Sequence, residues 1–399
     1  MSDTRPRLAR DGGTPVRSKM LPYARQSIDK DDVARVVAAL ESEWLTTGPE
    51  IGQFEREIAE VAGVGDAVAV SSGTAGLHTV MNAIGLVPGD EVIVPATTFV
   101  ATANAVVHAG ATPAFADVEP DTLLVDAKSV RARMSDRTKA IVAVDFAGQP
   151  CDYQSLRALA EERGLLLVAD AAHSLGATSG HGPAAALPDA AVFSFHPVKH
   201  VTTAEGGAVA TSNPSIASYA RRFRNHGLDR DHARRSAEGS WRYSMVDLGL
   251  NYRLSDIQCA LGRSQLRHLP RWLARRREIA QRYDEVLSGE LPARPLAVRS
   301  GVEHAYHLYV IRLDLERLSE DRDAVFAALR AEGIGVNVHY APAHLHPYYR
   351  REFGTSEGLC PVAETAERDL LSLPMFSAMS NQDVDDVVAA LFKVLGALE

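Results

Sequence analysis

Lys199 lies in FSFHPVKHVTTAEGG (193–207), between an apolar, strand-like run and a turn rich in threonine and glycine. Desolvation penalises a charged lysine, so an amine near a core pairs, snorkels or serves chemistry, for instance as a Schiff-base former. Three other stretches carry groups that could join it. In SSGTAG (71–76), Gly73 lets the backbone approach an anion. The hydroxyls of Ser72 and Thr74 and the first amides of the following helix could then cradle a phosphate. The same residues would also make an ordinary helix cap. Phe99, in PATTFVATAN (95–104), is either a core side chain or a plate for a flat ligand. In VADAAHSLGA (168–177), Asp170 ends an apolar run and His173 follows three residues later. A lone buried carboxylate is costly, so Asp170 needs a structural arginine, a helix cap or a protonated ring nitrogen beside it.

Each part is ambiguous alone. In this chain order, a phosphate cradle, a stacking aromatic, a buried carboxylate and a lysine are what pyridoxal 5'-phosphate requires. Ser194 stands five residues before the lysine, and Glu205 with Gly206 and Gly207 follows it.

The elements that must position these groups alternate two periods from about residue 65 to 212. Apolar runs at 67–72, 91–96, 112–118, 140–146, 165–172 and 190–195 predict buried strands, and 73–86, 100–110 and 153–164 predict helices. That alternation implies a mostly parallel α/β sheet covered on both faces, with ligands beyond the carboxyl ends of its strands. After residue 262 the texture becomes α+β, with a charged helix at 266–288, strands at 304–315 and 336–342, and a helix at 321–333. A final helix in the tail opens with acidic residues suited to its dipole. The expected division is an N-terminal arm (1–30), a large cofactor-binding domain (31–262) and a small C-terminal domain (263–399).

Among 399 residues the net charge is −9, which argues against nucleic acid as a partner. The arginine-rich stretches at 220–227 and 271–280 read as solvated or interfacial helix faces. No apolar run reaches membrane-span length, and the basic N-terminus lacks the apolar core of a signal peptide. Cys151, Cys259 and Cys360 are widely spaced, which gives no metal-binding pattern and fits a reducing compartment. A cytoplasmic protein without metal or membrane partner is expected.

The motifs WLTTGP (44–49), SSGTAGL (71–77), TFVATANAV (98–106), DAAHSLGA (170–177), SFHPVKHVTTAEGGAV (194–209) and LGLNYRLSDIQCALG (248–262) together resemble the DegT group of sugar aminotransferases, pyridoxal-phosphate enzymes of fold type I. The resemblance implies that Lys199 bonds the cofactor, Asp170 pairs with its pyridine nitrogen and Phe99 stacks on its ring. It implies that Thr74, Ala75 and Ser194 hold the phosphate and that His173 lies beside the ring hydroxyl. Asn251, in LNYR, would reach the phosphate of a partner subunit in a homodimer with shared sites. The segments 305–313 and 333–350 are similar to the branch that aminates a UDP-linked 4-keto hexose on the pseudaminic acid route, with L-glutamate as the donor. Thr46, Thr47, Gly48, Arg253, His339, Tyr340 and His344 are the expected substrate contacts.

The alternatives are a dTDP-keto sugar or keto-cyclitol as substrate, a sugar dehydratase, and a non-catalytic regulator on the same fold. Dehydratase relatives carry histidine at the Schiff-base position, where this chain has Lys199 with His200 out of register. A regulator would need a DNA-binding segment, and the chain offers none. Ala204 departs from the family pattern, which has glycine there.

Overall fold

The computed structural model describes residues 7–230, 239–289 and 291–399. Its central sheet has seven strands: β1 (Asp66–Val70), β2 (Glu91–Pro95), β3 (Thr112–Ala116), β4 (Thr138–Val144), β5 (Leu166–Asp170), β6 (Ala190–Ser194) and β7 (Gly207–Thr211). Their order is β1-β7-β6-β5-β4-β2-β3. The six expected strands are all present. β7 was not anticipated: a short run of small apolar residues, buried on both faces, gives no alternation to set it apart from the glycine pair before it. It is antiparallel to β1 and β6, and the remaining neighbours are parallel.

Register explains where chemistry can sit. Val70 pairs with Gly207, Gly207 with Ser194, Val192 with Asp170 and Asp170 with Val144. The carboxyl ends of β1, β4, β5 and β6 therefore meet the start of β7 along one edge.

Helices α1 (Lys30–Leu40) and α2 (Pro49–Ala62) precede the sheet. Then α3 (Gly73–Ala83), α4 (Ala101–His108), α5 (Ala127–Arg133), α6 (Tyr153–Arg163) and α7 (Pro214–Phe223) cover it. Helix α3 lies tight on the sheet: a Cβ at Gly76 would stand 2.7 Å from Val192 Cγ1.

The expected domain limit at 262/263 falls inside one continuous helix, α8 (Asp256–Leu287), of 32 residues. A reciprocal cap between Ser255 and Gln258 starts it ten residues before the charged stretch that signalled it. Its Cys259, Leu266, Leu269 and Leu273 pack in the core of the large sheet. Its Ile279, Ala280, Tyr283 and Leu287 pack in a second core. The helix thus changes core between residues 273 and 279.

The second core contains an antiparallel sheet of β8 (Ala293–Pro295), β9 (Tyr309–Leu313) and β10 (Leu370–Leu373), with helices α9 (Arg322–Ala331) and α12 (Asn381–Leu398). Between these helices, α10 (Pro347–Phe353) and α11 (Pro361–Glu367) return Tyr349, Ala363 and Ala366 to the first core. The strand expected at 304–315 shortens to β9, because Tyr306, at φ 47°, turns the chain out of extended geometry. The strand expected at 336–342 is an extended segment with one isolated bridge, Asn337 to Ser372.

The N-terminal arm belongs to the second core, through Leu8 and Leu21. It is fixed by the buried Glu332 carboxylate, which accepts from the Ala9 N–H (2.8 Å), the Val16 N–H (3.0 Å) and Lys393 Nζ (2.7 Å). The expectation of a solvated arginine face at 271–280 fails at Arg276. That guanidinium is buried, and its Nη1 donates to the carbonyls of Tyr306 (2.9 Å), Met375 (3.0 Å) and His307 (3.3 Å). Among the described residues, no helix is long and apolar enough to cross a membrane.

Candidate active site

A cleft of about 440 Å³ opens at the strand edge where register gathers β1, β4, β5, β6 and β7. Ser72, Gly73 and Thr74, Phe99, Asp170, His173, Ser194 and Lys199 line it from the sheet side. His307, Asn337, His339 and Tyr340 close it from the later half of the chain.

Gly207 explains the close fit of the first wall. A Cβ there would stand 2.6 Å from Gly73 N and from the Ser72 carbonyl, so only glycine lets β7 run beneath the start of α3. Ser72 caps that helix, its Oγ accepting from the Ala75 N–H at 3.0 Å. The ordinary cap reading therefore holds for Ser72 and Ala75 together, and Ala75 is buried and off the cleft lining. Ser72, Gly73, Thr74 and Ser194 face the cleft.

Asp170 is buried. Its Oδ2 accepts from Thr102 Oγ1 at 2.6 Å and its Oδ1 from the Ala172 N–H at 3.2 Å. Among the described residues no arginine pairs with it. Burial raises its pKa, against the hydrogen bonds from Thr102 and Ala172 and the charge of Lys199. Lys199 shows the complementary shift. Burial lowers its ammonium from 10.5 to about 8, partly opposed by Asp170. Its Nζ lies 3.4 Å from His307 Nε2.

Burial, then the charge of Lys199, pushes His173 and His307 well below the usual histidine range, and His339 down to about 4. His173, His307 and His339 are thus neutral near pH 7. Tyr340 Oη lies 3.3 Å from His173 Nε2, and its ring centroid is 6.0 Å from that of Phe99. Phe99 is 56% exposed and faces the cleft, the setting of a plate rather than a core residue.

Several expected contacts lie elsewhere. Thr46, Thr47, Gly48 and Arg253 line a separate cleft of about 560 Å³ with Glu55, Arg224 and Asn225. There Arg253 Nη1 donates to Asn225 Oδ1 at 2.7 Å. Asn251 is exposed, bridges to Asn225 through its backbone and lines neither cleft. His344 is a core histidine: it is fully buried, with Nε2 2.9 Å from Glu364 Oε1 and its ring against Phe115. His200 turns away from the cleft to the Ala305 carbonyl, 2.9 Å off. Outside both clefts, Asp29, Asp32 and His268 each bring one ligand-type atom within 4.8 Å of the others. Asp29 Oδ2 lies 3.0 Å from His268 Nε2 and Asp32 Oδ2 accepts from Gln265 at 2.6 Å, while Asp32 Oδ1 is buried without a hydrogen-bond partner among the described residues.

Sequence reasoning missed Tyr23, Thr102, His307 and Asn337. Thr102 lies inside PATTFVATAN, and His307 and Asn337 lie inside the segments 305–313 and 333–350. For Thr102 and His307 a need for partners at Asp170 and Lys199 was a further signal, and Tyr23 carried none.

The residues present fit pyridoxal phosphate. His173 Nδ1 and His307 Nδ1 are buried without a hydrogen-bond partner, as polar atoms facing an absent ligand would be. The lysine, the carboxylate, the aromatic plate and the open N-terminus of α3 share one cleft. When bound, the cofactor supplies an aldehyde that bonds amines and a ring that takes up the electron pair left at a donor's α-carbon.

Fold and cleft together are those of a pyridoxal-phosphate-dependent transferase of fold type I, and comparison with known proteins narrows the class. Residues 26–392 match the DegT/DnrJ/EryC1/StrS aminotransferase family, and the chain belongs to it. It is 40% identical over 379 residues to the spore coat polysaccharide biosynthesis protein SpsC of Bacillus subtilis, covering 94% of this chain and 97% of that one. Among solved structures it resembles a putative sugar aminotransferase, Spr1654 of Streptococcus pneumoniae. The match to the PMP-form has TM-score 0.89 and 31% identity, over 95% of this chain and 100% of that one, and a PLP-form matches at TM-score 0.88. Helicobacter pylori PseC, an aminotransferase involved in the biosynthesis of pseudoaminic acid, matches at TM-score 0.89 and 30% identity, over 95% and 100% of the two chains. The cofactor is pyridoxal 5'-phosphate, and the reaction class is amino-group transfer to a sugar.

Proposed function

We propose that the chain moves the amino group of L-glutamate to C4 of a UDP-linked 4-keto-6-deoxy-N-acetylhexosamine. The observation that carries this reading is the cleft itself, in which Asn337, His339 and Tyr340 stand across from Lys199 and Asp170. A sugar entering over the cofactor meets amide, imidazole and phenol groups able to bond its hydroxyls. The likeness to PseC and to a polysaccharide biosynthesis protein supports a nucleotide-linked hexose. In this reading Lys199 bonds the cofactor and, once released as a free amine, moves the proton at the donor's α-carbon. Asp170 holds the pyridine nitrogen protonated, Phe99 covers the ring, and Gly73, Thr74 and Ser194 hold the phosphate.

The working unit is a homodimer in the cytoplasm. Trp241, Met245, Val246 and Leu248 form an exposed apolar run beside Asn251, and a second copy would bury it. Asn251, Arg253 and the 46–48 turn would then serve the partner's site, which accounts for their separation from Lys199.

The test offers L-glutamate with UDP-linked and dTDP-linked 4-keto and 3-keto sugars, and follows 2-oxoglutarate and the aminated product. Preference for a dTDP sugar lacking the acetamido group replaces the UDP assignment. Turnover of a free keto-cyclitol with none of the nucleotide sugars refutes the nucleotide requirement. Mixed dimers of Lys199→Ala and Asn251→Ala subunits, each inactive alone, should regain activity. No recovery in verified mixed dimers means that each site is complete within one subunit.

A further inference from the structure

Segment 304–308 is held far more firmly than a connection between two elements needs. Tyr306 adopts φ 47°, a strained conformation for a tyrosine. The Ala305 N–H donates to the Gly148 carbonyl at 2.9 Å and the Leu308 N–H to the Ala147 carbonyl at 3.1 Å. Gly148, at φ 105°, lies so close that a Cβ there would stand 2.9 Å from His307 N. The buried Arg276 guanidinium is committed to the carbonyls of Tyr306, His307 and Met375. All this fixes one segment, whose single contribution to the cleft is the His307 side chain.

That side chain is buried, with its ring centroid 4.3 Å from His173 and 5.7 Å from His200. Its Nε2 faces Lys199 Nζ at 3.4 Å.

We propose that His307 is a positioning residue for Lys199: its Nε2 accepts a hydrogen bond from the amine and holds it at the cofactor edge of the cleft whenever the lysine is not bonded to the cofactor. This rests on Lys199 being the lysine that bonds the cofactor. A neutral imidazole suits the task, because it can accept from an ammonium where a cation would repel it. Burial, then the charge of Lys199, keeps His307 in that neutral form. With Nε2 accepting, the proton sits on Nδ1, which has no hydrogen-bond partner among the described residues. A four-carbon stem left unheld samples many rotamers, and each turnover needs the amine back in one place.

The experiment uses the holoenzyme and His307→Asn and His307→Gln. The shorter amide falls short of the Nε2 position and the longer one reaches it. His307→Leu repeats the test without a polar group should the Asn variant not fold. Borohydride reduction of the parent, read by mass spectrometry, first locates the bonded lysine. Two rates are then compared, covalent attachment of pyridoxal phosphate to apoenzyme and the half-reaction with L-glutamate. Affinity for pyridoxamine phosphate, which bonds no lysine, is measured beside them. His307→Asn should slow both rates by about 10- to 100-fold, the worth of one hydrogen bond to a charged group. Pyridoxamine phosphate should bind within about twofold of the parent, since its affinity does not involve the lysine bond. His307→Gln should recover both rates to within about fivefold, as a hydrogen-bonding rescue requires.

Parental rates in the Asn variant overturn the proposal. So does an equal loss of pyridoxamine phosphate affinity, which would make the ring a wall of the cleft, and so does a Gln variant as slow as Asn. Label on another lysine in the parent overturns the underlying reading of Lys199, whereas label on Lys199 with an indifferent Asn variant overturns this proposal alone.

Discussion

Replacing Asp170 by asparagine should make Lys199 of the apoenzyme more reactive while the enzyme becomes slower. The ammonium of Lys199 is lowered from 10.5 to about 8 by burial, and Asp170 is the charge that opposes the shift. At pH 7 a pKa of about 8 leaves roughly one amine in ten neutral, against roughly one in three thousand for an ordinary lysine. Asparagine keeps the shape of the site. Its amide oxygen can accept from the Ala172 N–H, and the Thr102 hydroxyl has Thr98 Oγ1 at 2.7 Å as another partner. What is lost is the negative charge, so the pKa of Lys199 falls below its parental value. The neutral fraction at pH 7 rises toward one, a gain of at most about tenfold.

The sign fixes the window. The difference is largest below pH 8 and vanishes near pH 10, where the amine is neutral in both proteins. Competitive acetylation of the apoenzyme with acetic anhydride between pH 6 and 10, read on the Lys199 peptide, measures it. Turnover of the holoenzyme should fall by about a hundredfold or more, because the charge proposed to hold the ring nitrogen protonated is gone. A parental labelling midpoint near 10.5, or slower labelling of Lys199 in the variant, would refute the account of the burial and charge around this amine.

Gly207→Ala should force β7 away from the turn into α3, lowering pyridoxal phosphate affinity at least about tenfold and stability by roughly 1–3 kcal/mol, read by cofactor titration and urea unfolding. Ala204 holds φ 66°, so Ala204→Val should cost about 1–2 kcal/mol. Ala204→Gly should stay within about 0.5 kcal/mol, because relief of strain is offset by the freedom of glycine in the unfolded chain. Glu332→Ala should cost about 1–3 kcal/mol by leaving the Ala9 and Val16 amides without their acceptor and Lys393 with the Thr14 carbonyl alone. It should also open the arm to trypsin at Arg10 and Arg17, seen by limited proteolysis, and an arm as resistant as the parent's would refute its anchoring by this carboxylate.

The parallel strands and the sheet-side residues of the cleft were legible because each is local. A strand buried on both faces is an unbroken apolar run, and Ser72, Asp170 and Lys199 each follow such a run directly. The family pattern supplied the rest of the expected cofactor contacts. What stayed hidden depends on contacts distant in sequence. β7 is recognisable only by its place between β1 and β6, and Thr102 as a partner of Asp170 spans 68 positions. His344 reads like its neighbours His339 and Tyr340 in the sequence. It becomes a core residue only because the chain returns Glu364 to meet it. Arg276 looked solvated because its neighbours are charged, and the three carbonyls that hold it come from two later segments.

Helix α8 limits how this chain can exchange parts with its relatives. A crossover at 262/263 would pair the first turns of one helix with the remainder of another, and would divide Cys259 from Leu266 and Leu269 within one packed layer. The residues that face Lys199 from the later half, Asn337 to Tyr340, belong to a lobe that also holds the N-terminal arm through Glu332. A transplant aimed at changing the accepted sugar must therefore carry two separated pieces, the arm and everything beyond the helix. Variation of the cleft-facing side chains, residue by residue, disturbs far less, so on the proposed role of 337–340 in meeting the sugar, new specificities should arise by point substitution there more readily than by recombination.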